Sequence, residues 1–263
     1  MDKRGKRGKR KQRAPLKPLQ RKRDGGFRGD HLRVQNRKHW EPEEVEAFFA
    51  AIRKARNPYW EAYFKIQYFW GCRISEPALI GLHDVNLEGQ PAEIVITRLK
   101  KNAGNAETPE GVQADVHEVP AALVETLTAH LEFRANLRES AWLFPSPKRR
   151  AWKPTLTERM AILRRDAHDP KDAAVSRMSA HTAFKDFADA ADIPDTRHLR
   201  RTHVLRHTRA TLLVAAEAPL DYVKRFLGHE DLRTTEKYVH AAKQIQERYD
   251  AQGLNLKGLD GIL

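Results

Sequence analysis

The excess positive charge of this chain is confined to one end, and this limits where a folded domain can form. The chain has 263 residues and a formal net charge of +13. Residues 1–38 hold 16 Lys and Arg against 3 acidic residues, whereas residues 39–263 hold 32 of each sign. The basic segment also lacks apolar periodicity, as disordered segments do. We therefore predict a disordered basic tail over residues 1–38 and one folded domain over residues 39–263.

Cysteine and apolar content restrict the cellular setting. Cys72 is the only cysteine in the sequence, so the chain can form neither an intramolecular disulfide nor a cysteine metal cluster. No run of 18 apolar residues occurs, and the N-terminus lacks the apolar core of a secretory signal. These features fit a reducing interior, and we expect a cytoplasmic protein with no membrane partner.

Hydrophobic spacing in the folded part is mainly helical. Apolar side chains and helix-ending residues predict helices that begin at Pro42 and over 59–70, 120–135, 181–192, 203–216, 220–227 and 234–251. Alternating β-branched residues predict strands over 93–98 and 116–119, joined by a long hairpin loop. The expected fold class is therefore α+β, mostly α-helical, with a small antiparallel β-sheet.

Four separated motifs carry polar side chains suited to a phosphate group. They are Gly71-Cys72-Arg73-Ile74-Ser75-Glu76, His203-Val204-Leu205-Arg206-His207, Leu227-Gly228-His229 and, nine residues after that histidine, Tyr238. Arginine forks bind the oxygens of a phosphodiester in pairs and stay charged at any working pH. A tyrosine hydroxyl, whose unperturbed pKa is about 10, needs a nearby base or cationic field to act as a nucleophile. The motifs thus combine phosphate-binding groups with a possible nucleophile.

This set, in this order and spacing, resembles the tyrosine recombinase (phage integrase) family over about residues 40–241. The resemblance implies a tyrosine recombinase catalytic domain, whose tyrosine attacks a DNA phosphodiester. The catalytic set it implies is Arg73, Lys101, His203, Arg206, His229 and Tyr238.

The resemblance also implies a role for each residue. Arg73, Arg206 and His229 would hold the scissile phosphate, and His203 would serve mainly as the proton acceptor. A hairpin lysine would protonate the leaving 5′ oxygen. Lys101 is preferred because it directly precedes the turn-forming Asn102. Lys100 is the alternative, because a shift of one residue in strand register turns a side chain to the opposite face of the sheet.

Two further expectations come from the residues themselves. Glu76 is placed to hold the Arg73 guanidinium in position. A metal site is the competing hypothesis for a chain with 12 histidines, with His203 and His207 at helical spacing. No His-Glu-x-x-His motif or Cys/His cluster accompanies them, so we expect no metal and no cofactor.

The predicted function is site-specific DNA recombination through a 3′-phosphotyrosine intermediate, as in the integrases of mobile genetic elements. A type IB topoisomerase-like relaxing activity and a non-catalytic DNA-binding regulator are the alternatives. The expected partners are double-stranded DNA, further copies of the chain on that DNA, and accessory DNA-bending or directionality proteins. The basic tail would bind DNA phosphates, and a solubilising or targeting role is its alternative.

Two parts of the chain depart from the family pattern. Many relatives carry a separate helical core-binding domain before the catalytic one, and residues 1–38 cannot bury a core. The chain is therefore either a naturally minimal recombinase or a catalytic part without its partner domain. An insertion of unassigned function is expected at about residues 145–178.

Overall fold

The structure is a computed structural model, and it describes residues 37–99, 114–137, 139–146, 172–229 and 231–251. The helices within these ranges are α1 (Pro42–Lys54), α2 (Pro58–Phe69), α3 (Ala121–Ala135), α4 (Arg177–Ala190), α5 (Val204–Ala215), α6 (Leu220–Leu227), α7 (Leu232–Glu236) and α8 (Val239–Ala251). The strands are β1 (Val85–Asn86), β2 (Glu93–Thr97) and β3 (Ala114–Glu118). The predicted α+β, mostly helical fold class is confirmed.

Helix α1 begins where the sequence predicts, and its first turn shows why. Pro42 occupies the first helical position, where the missing N–H costs nothing. The Glu44 carboxylate accepts a hydrogen bond from the Glu41 backbone N–H at 2.8 Å, which satisfies a donor that the helix leaves unpaired. Glu43 and Glu44 also lie at the positive end of the helix dipole.

The strands form one antiparallel sheet in the order β1-β2-β3. Ile94 pairs with His117 and Ile96 with Asp115. Both isoleucines are fully buried, because alternate residues of a strand face the same side of a sheet. The predicted hairpin is confirmed in its strands, and β1 is a strand that the sequence analysis did not predict.

The core is dominated by aromatic side chains from α1, α2 and α4. Trp40, Phe48, Phe64 and Phe184 are fully buried and lie within 6 Å of one another in successive ring pairs. Trp40 also anchors the chain before α1, since its indole N–H donates to the Leu199 carbonyl at 3.0 Å. This core fixes α1 and α2 against the segment that leads into α5.

Two predicted helix boundaries are wrong, and a hydrogen bond marks each of the observed boundaries. Helix α4 begins four residues before the predicted residue 181, because the Ser176 hydroxyl caps it by accepting from the Ser179 N–H at 3.0 Å. The predicted helix over 234–251 is two helices, α7 and α8, with Tyr238 at the break. The Tyr238 N–H donates to the Thr235 carbonyl at 3.0 Å, which makes the turn tighter than an α-helix.

Most of the predicted insertion lies outside the described residues, since 147–171 are not among them. Its two flanks meet, because Pro145 and Ala174 form an antiparallel bridge. Within the described ranges, no helix combines the length and apolar character needed to cross a membrane.

Candidate active site

Arg73 is held at the site by a buried carboxylate. The Arg73 Nη1 lies 2.9 Å from Glu76 Oε1, and the Arg73 backbone N–H donates to Glu76 Oε2 at 2.7 Å. Glu76 is fully buried, whereas the Arg73 side chain is 29% exposed. The ion pair therefore fixes the inner end of Arg73 and leaves the guanidinium reachable by a ligand.

Arg206 is set by two backbone carbonyls at the ends of neighbouring helices. Its Nη1 donates to the Gly71 carbonyl at 2.6 Å and its Nη2 to the Leu227 carbonyl at 2.5 Å. These helix ends meet closely, because a Cβ on Gly71, whose φ is +56°, would lie 2.7 Å from Leu227 Cδ2. Glycine thus allows α2 and α6 to converge on one guanidinium.

Arg98 is a third arginine near the site, and it was not among the residues predicted from the sequence. It comes directly after β2, in phase with the inward-facing Ile94 and Ile96, and it is buried. Its guanidinium contacts Glu76 at 3.4 Å and donates to the Phe226 carbonyl at 3.2 Å. A charged residue in phase with buried strand residues was the signal that could have revealed it.

His229 lies just after α6, where Gly228 adopts the left-handed conformation that ends the helix. A hydrogen bond of 3.0 Å joins its Nδ1 to the hydroxyl of Thr235, which is fully buried. The imidazole ring is nearly parallel to the Tyr238 ring, with centroids 6.3 Å apart. The tight turn before α8 therefore brings Tyr238 to the histidine.

The Tyr238 hydroxyl is hydrogen-bonded to His207, which the sequence suggested only as a possible metal ligand. His207 Nδ1 lies 2.9 Å from Tyr238 Oη. Tyr238 is 8% exposed and packs with Ala210, Val223 and Leu227. His207 lies one helical turn after His203 in sequence, and its adjacency to Arg206 was the signal available.

The charges of the site are those of its arginines. Burial lowers the pKa of Arg206 to about 10, which still leaves the guanidinium charged at pH 7. Burial, together with the charges of Arg206 and Arg73, lowers the pKa of His229 to about 4. The pKa of His203 is also lowered, by burial and then by Arg206 and Arg73. The field around this group is thus positive, as an anionic ligand requires.

Tyr238 experiences two opposed effects. Burial raises the pKa of its hydroxyl above the usual value of 10, and the positive charge of Arg206 opposes that rise. A buried tyrosine can lose its proton and attack only when nearby positive charge stabilises the phenolate in place of water.

The structure therefore brings together Arg73, His203, Arg206, His229 and Tyr238 from four separated segments. Lys101 and the alternative Lys100 lie outside the described residues. In the described part of the chain, no group of three or more His, Cys, Asp or Glu side chains is arranged to hold a metal ion.

Glu76 supports two arginines, so its removal has a predictable cost. We expect Glu76→Ala to lower the free energy of unfolding by about 3–5 kcal/mol. The change leaves the buried Arg98 with Asp115, 3.3 Å away, as its remaining carboxylate partner in the described residues, and it removes the acceptor of the Arg73 and Leu99 backbone N–H groups. Glu46→Ala, which breaks the exposed pair with Arg53, should cost less than about 1 kcal/mol. Urea unfolding of both variants tests this, and equal losses would contradict a structural role for Glu76.

Two arginines, neutral histidines and a buried tyrosine suit a class of protein that binds a phosphodiester and attacks it with a protein hydroxyl. The chain belongs to the phage integrase family, whose sequence profile matches residues 38–245. It is 26% identical over 184 residues to the tyrosine recombinase XerC of Pelobacter propionicus, covering 70% of this chain and 48% of that protein. It is 49% identical over 55 residues to the tyrosine recombinase XerD of Pasteurella multocida, covering 19% and 18%.

Solved structures show the same fold. The crystal structure of XerA recombinase matches with a TM-score of 0.56 and 18% identity, covering 81% of this chain and 64% of that one. A post-cleavage complex of XerH site-specific recombinase with palindromic difH substrate matches with a TM-score of 0.56 and 22% identity, covering 82% and 52%. The chain thus spans about half the length, or less, of the curated relatives it matches.

Proposed function

We propose that the protein is a site-specific DNA recombinase that cleaves and rejoins double-stranded DNA through a 3′-phosphotyrosine intermediate. One observation carries the proposal: the buried Tyr238 hydroxyl lies in the positive field of Arg206, beside His229 and in a chain of the phage integrase family. The similarity to recombinases, including complexes with DNA, favours this function over a relaxing enzyme or a non-catalytic regulator.

Phosphate binding falls to Arg73, Arg206 and His229. The two guanidiniums approach from different elements and bear the charge that a phosphodiester requires. In the transition state, negative charge grows on the equatorial oxygens, so donors already fixed by Glu76, Gly71 and Leu227 stabilise it without reorganising. The hydrogen bond between His229 and Thr235 leaves the second ring nitrogen of His229 for the phosphate.

The chemical step is a balanced exchange of bonds. The Tyr238 oxygen forms a bond to phosphorus as the bond to the 5′ oxygen breaks, and His203 accepts the phenolic proton. Lys101, or Lys100 in its place, protonates the leaving 5′ oxygen. The phosphotyrosine bond conserves the energy of the broken linkage, so the reverse attack rejoins the strand.

The test is capture of the covalent intermediate. The substrates are duplexes of randomised sequence with a nick near the cleavage point. Cleavage releases the short fragment that carries the 5′ hydroxyl, so the strand cannot be rejoined and the protein stays attached to its preferred site. Denaturing electrophoresis in EDTA should show a protein–DNA adduct, and sequencing of the bound strands should identify the site. Loss of all adducts at saturating protein would refute the proposal, and restoration of the adduct by a divalent ion would favour the metal hypothesis.

The hydrogen bond between His207 and Tyr238 gives a separate prediction. An asparagine amide reaches the position of imidazole Nδ1, whereas a glutamine amide reaches that of Nε2. We therefore expect His207→Gln to slow single-turnover cleavage by about 100-fold, the cost of a displaced reacting group. His207→Asn keeps the hydrogen bond but not the ionisable ring, so it should cleave faster than His207→Gln and more slowly than the wild type. Equal rates in the two variants would show that the bond to Tyr238 does not position the nucleophile.

The basic tail should supply most of the long-range attraction to DNA. Arg37 pairs with Glu41 and Glu44 in the folded part, so a deletion is best ended at residue 36. Each phosphate neutralised contributes about 0.9 to the slope of log affinity against log salt, so the deletion should lower that slope by about 4–8. Cleavage of pre-bound DNA should not change. An unaltered slope would show that the tail does not bind DNA.

The same proposal extends to the setting of the protein. Recombination joins two duplexes, so we propose that copies of the chain assemble as dimers or tetramers on DNA, with accessory DNA-bending or directionality proteins. A cytoplasmic, nucleoid-associated location follows from the substrate.

A further inference from the structure

A basic cavity lies beside the proposed active site. It has a volume of about 170 Å³ and is walled by the segment before α1, by the residues that lead into α5 and by the first turn of α5. Its lining consists of Lys38, His198, Arg201, His203, Val204 and His207. The lining therefore contains five basic side chains and no acidic one.

The charge in this cavity is not neutralised within the described residues. Arg37 pairs with Glu41 and Glu44, and Arg200 pairs with Asp189. Lys38 follows Arg37 and Arg201 follows Arg200 in the sequence. In the described part of the chain, neither Lys38 nor Arg201 forms an ion pair, and both are exposed. Arg37 and Arg200 are thus neutralised by carboxylates, whereas Lys38 and Arg201 line the cavity.

The positive charge around the cavity also lowers the pKa of its histidines. Burial lowers the pKa of His207 to about 4, and His203, Arg206, Lys38 and His198 add to that lowering. The pKa of His198 is lowered as well, by burial first and then by Lys38, Arg197 and Arg201. An anion in the cavity would relieve this repulsion.

We propose that this cavity binds a backbone phosphate of the DNA substrate, distinct from the phosphate that Tyr238 attacks. The inference rests on the proposed function, because His203 belongs to both sites and the duplex has to pass both. Phosphates of one strand follow each other at about 3.4 Å along the helix axis, so a phosphate near the scissile one reaches a neighbouring cavity. The volume admits a phosphate group but no nucleobase stack.

The cavity also connects DNA binding to the nucleophile. His207 lines it and is hydrogen-bonded through Nδ1 to the Tyr238 hydroxyl. A phosphate in the cavity would raise the pKa of His207, and a charged imidazole donates from both nitrogens. The Nδ1–H would then face the Tyr238 oxygen and favour its negative form. A correctly seated duplex would thereby prepare the tyrosine for attack.

The first test is the salt dependence of binding to a 30-base-pair duplex, measured by fluorescence anisotropy with the full chain. Lys38→Ala and Arg201→Ala should each lower the slope of log affinity against log salt by about 0.9. Lys54→Ala is the matched control, since Lys54 is exposed at the far end of α1, about 20 Å away at 1.5 Å per residue. Slopes unchanged in Arg201→Ala would overturn the proposal.

The second test locates the phosphate. An NMR titration of His198 should show a higher pKa in the duplex complex than in the free protein, with little rise in Arg201→Ala. A His198 pKa that DNA does not alter would overturn the site. If inorganic phosphate at millimolar concentration produced the same rise, the occupant would be free phosphate and not the DNA backbone. Neither test depends on cleavage, so failure of the adduct assay and failure of this site are distinguishable.

Discussion

Tyr238→Phe should retain DNA affinity and abolish the covalent protein–DNA adduct. The change removes one hydroxyl and almost no volume, so the packing with Ala210, Val223 and Leu227 is preserved. Loss of the hydrogen bond to His207 should cost only about 1 kcal/mol of stability. Without the hydroxyl, no bond to phosphorus can form at this position. Denaturing electrophoresis after incubation with the selected nicked duplex measures the adduct.

Tyr222→Phe is the matched control. Tyr222 lies on α6, is 47% exposed, and stacks on Phe226. This variant should form the adduct at the wild-type rate. An adduct that persists in Tyr238→Phe and disappears in Tyr222→Phe would transfer the nucleophilic role to Tyr222.

Arg206→Ala should reduce cleavage far more than DNA affinity. The guanidinium is aimed by the Gly71 and Leu227 carbonyls, so its donors are in place before charge develops on the phosphate. Loss of one such preorganised donor commonly lowers the rate by about 10²–10³. Affinity should fall by about tenfold or less, the effect of one phosphate contact. Single-turnover cleavage at saturating protein separates the two quantities.

Arg206 also braces the meeting point of α2 and α6, so folding must be checked by thermal unfolding. Arg206→Lys keeps the charge and much of the volume but lacks the planar fork that reaches both carbonyls. It should bind DNA nearly as the wild type does and still cleave slowly. If cleavage and affinity fell by the same factor in both variants, Arg206 would be a general DNA contact.

Local patterns were sufficient for most of the fold. Pro42 with its following acids set the start of α1, and Gly228 set the end of α6, because helix ends depend on nearby backbone groups. The alternation of Ile94 and Ile96 predicted a half-buried strand for the same reason. Each of these signals lies within a few residues of the feature it determines.

The break at Tyr238 shows where local patterns failed. Residues 234–251 contain no proline or glycine that would end a helix, so periodicity predicted one continuous helix. Contacts with α5 and α6 interrupt it instead, because the tyrosine ring is buried among Val223 and Leu227 and its hydroxyl meets His207. A helix boundary that tertiary packing imposes leaves no mark in neighbouring residues.

By itself, the sequence determined the helical character of the domain, the family resemblance, and the residue types available for phosphate binding and attack. Only the tertiary structure decided which of them meet. Two of the contacts join residues far apart in the chain: Arg98 contacts Glu76 across 22 positions, and His207 contacts Tyr238 across 31. Burial of Glu76 and Tyr238 is likewise a property of the folded chain. The physical reason is that charge, hydrogen bonding and pKa depend on distances across the fold, whereas a sequence records only distances along the chain.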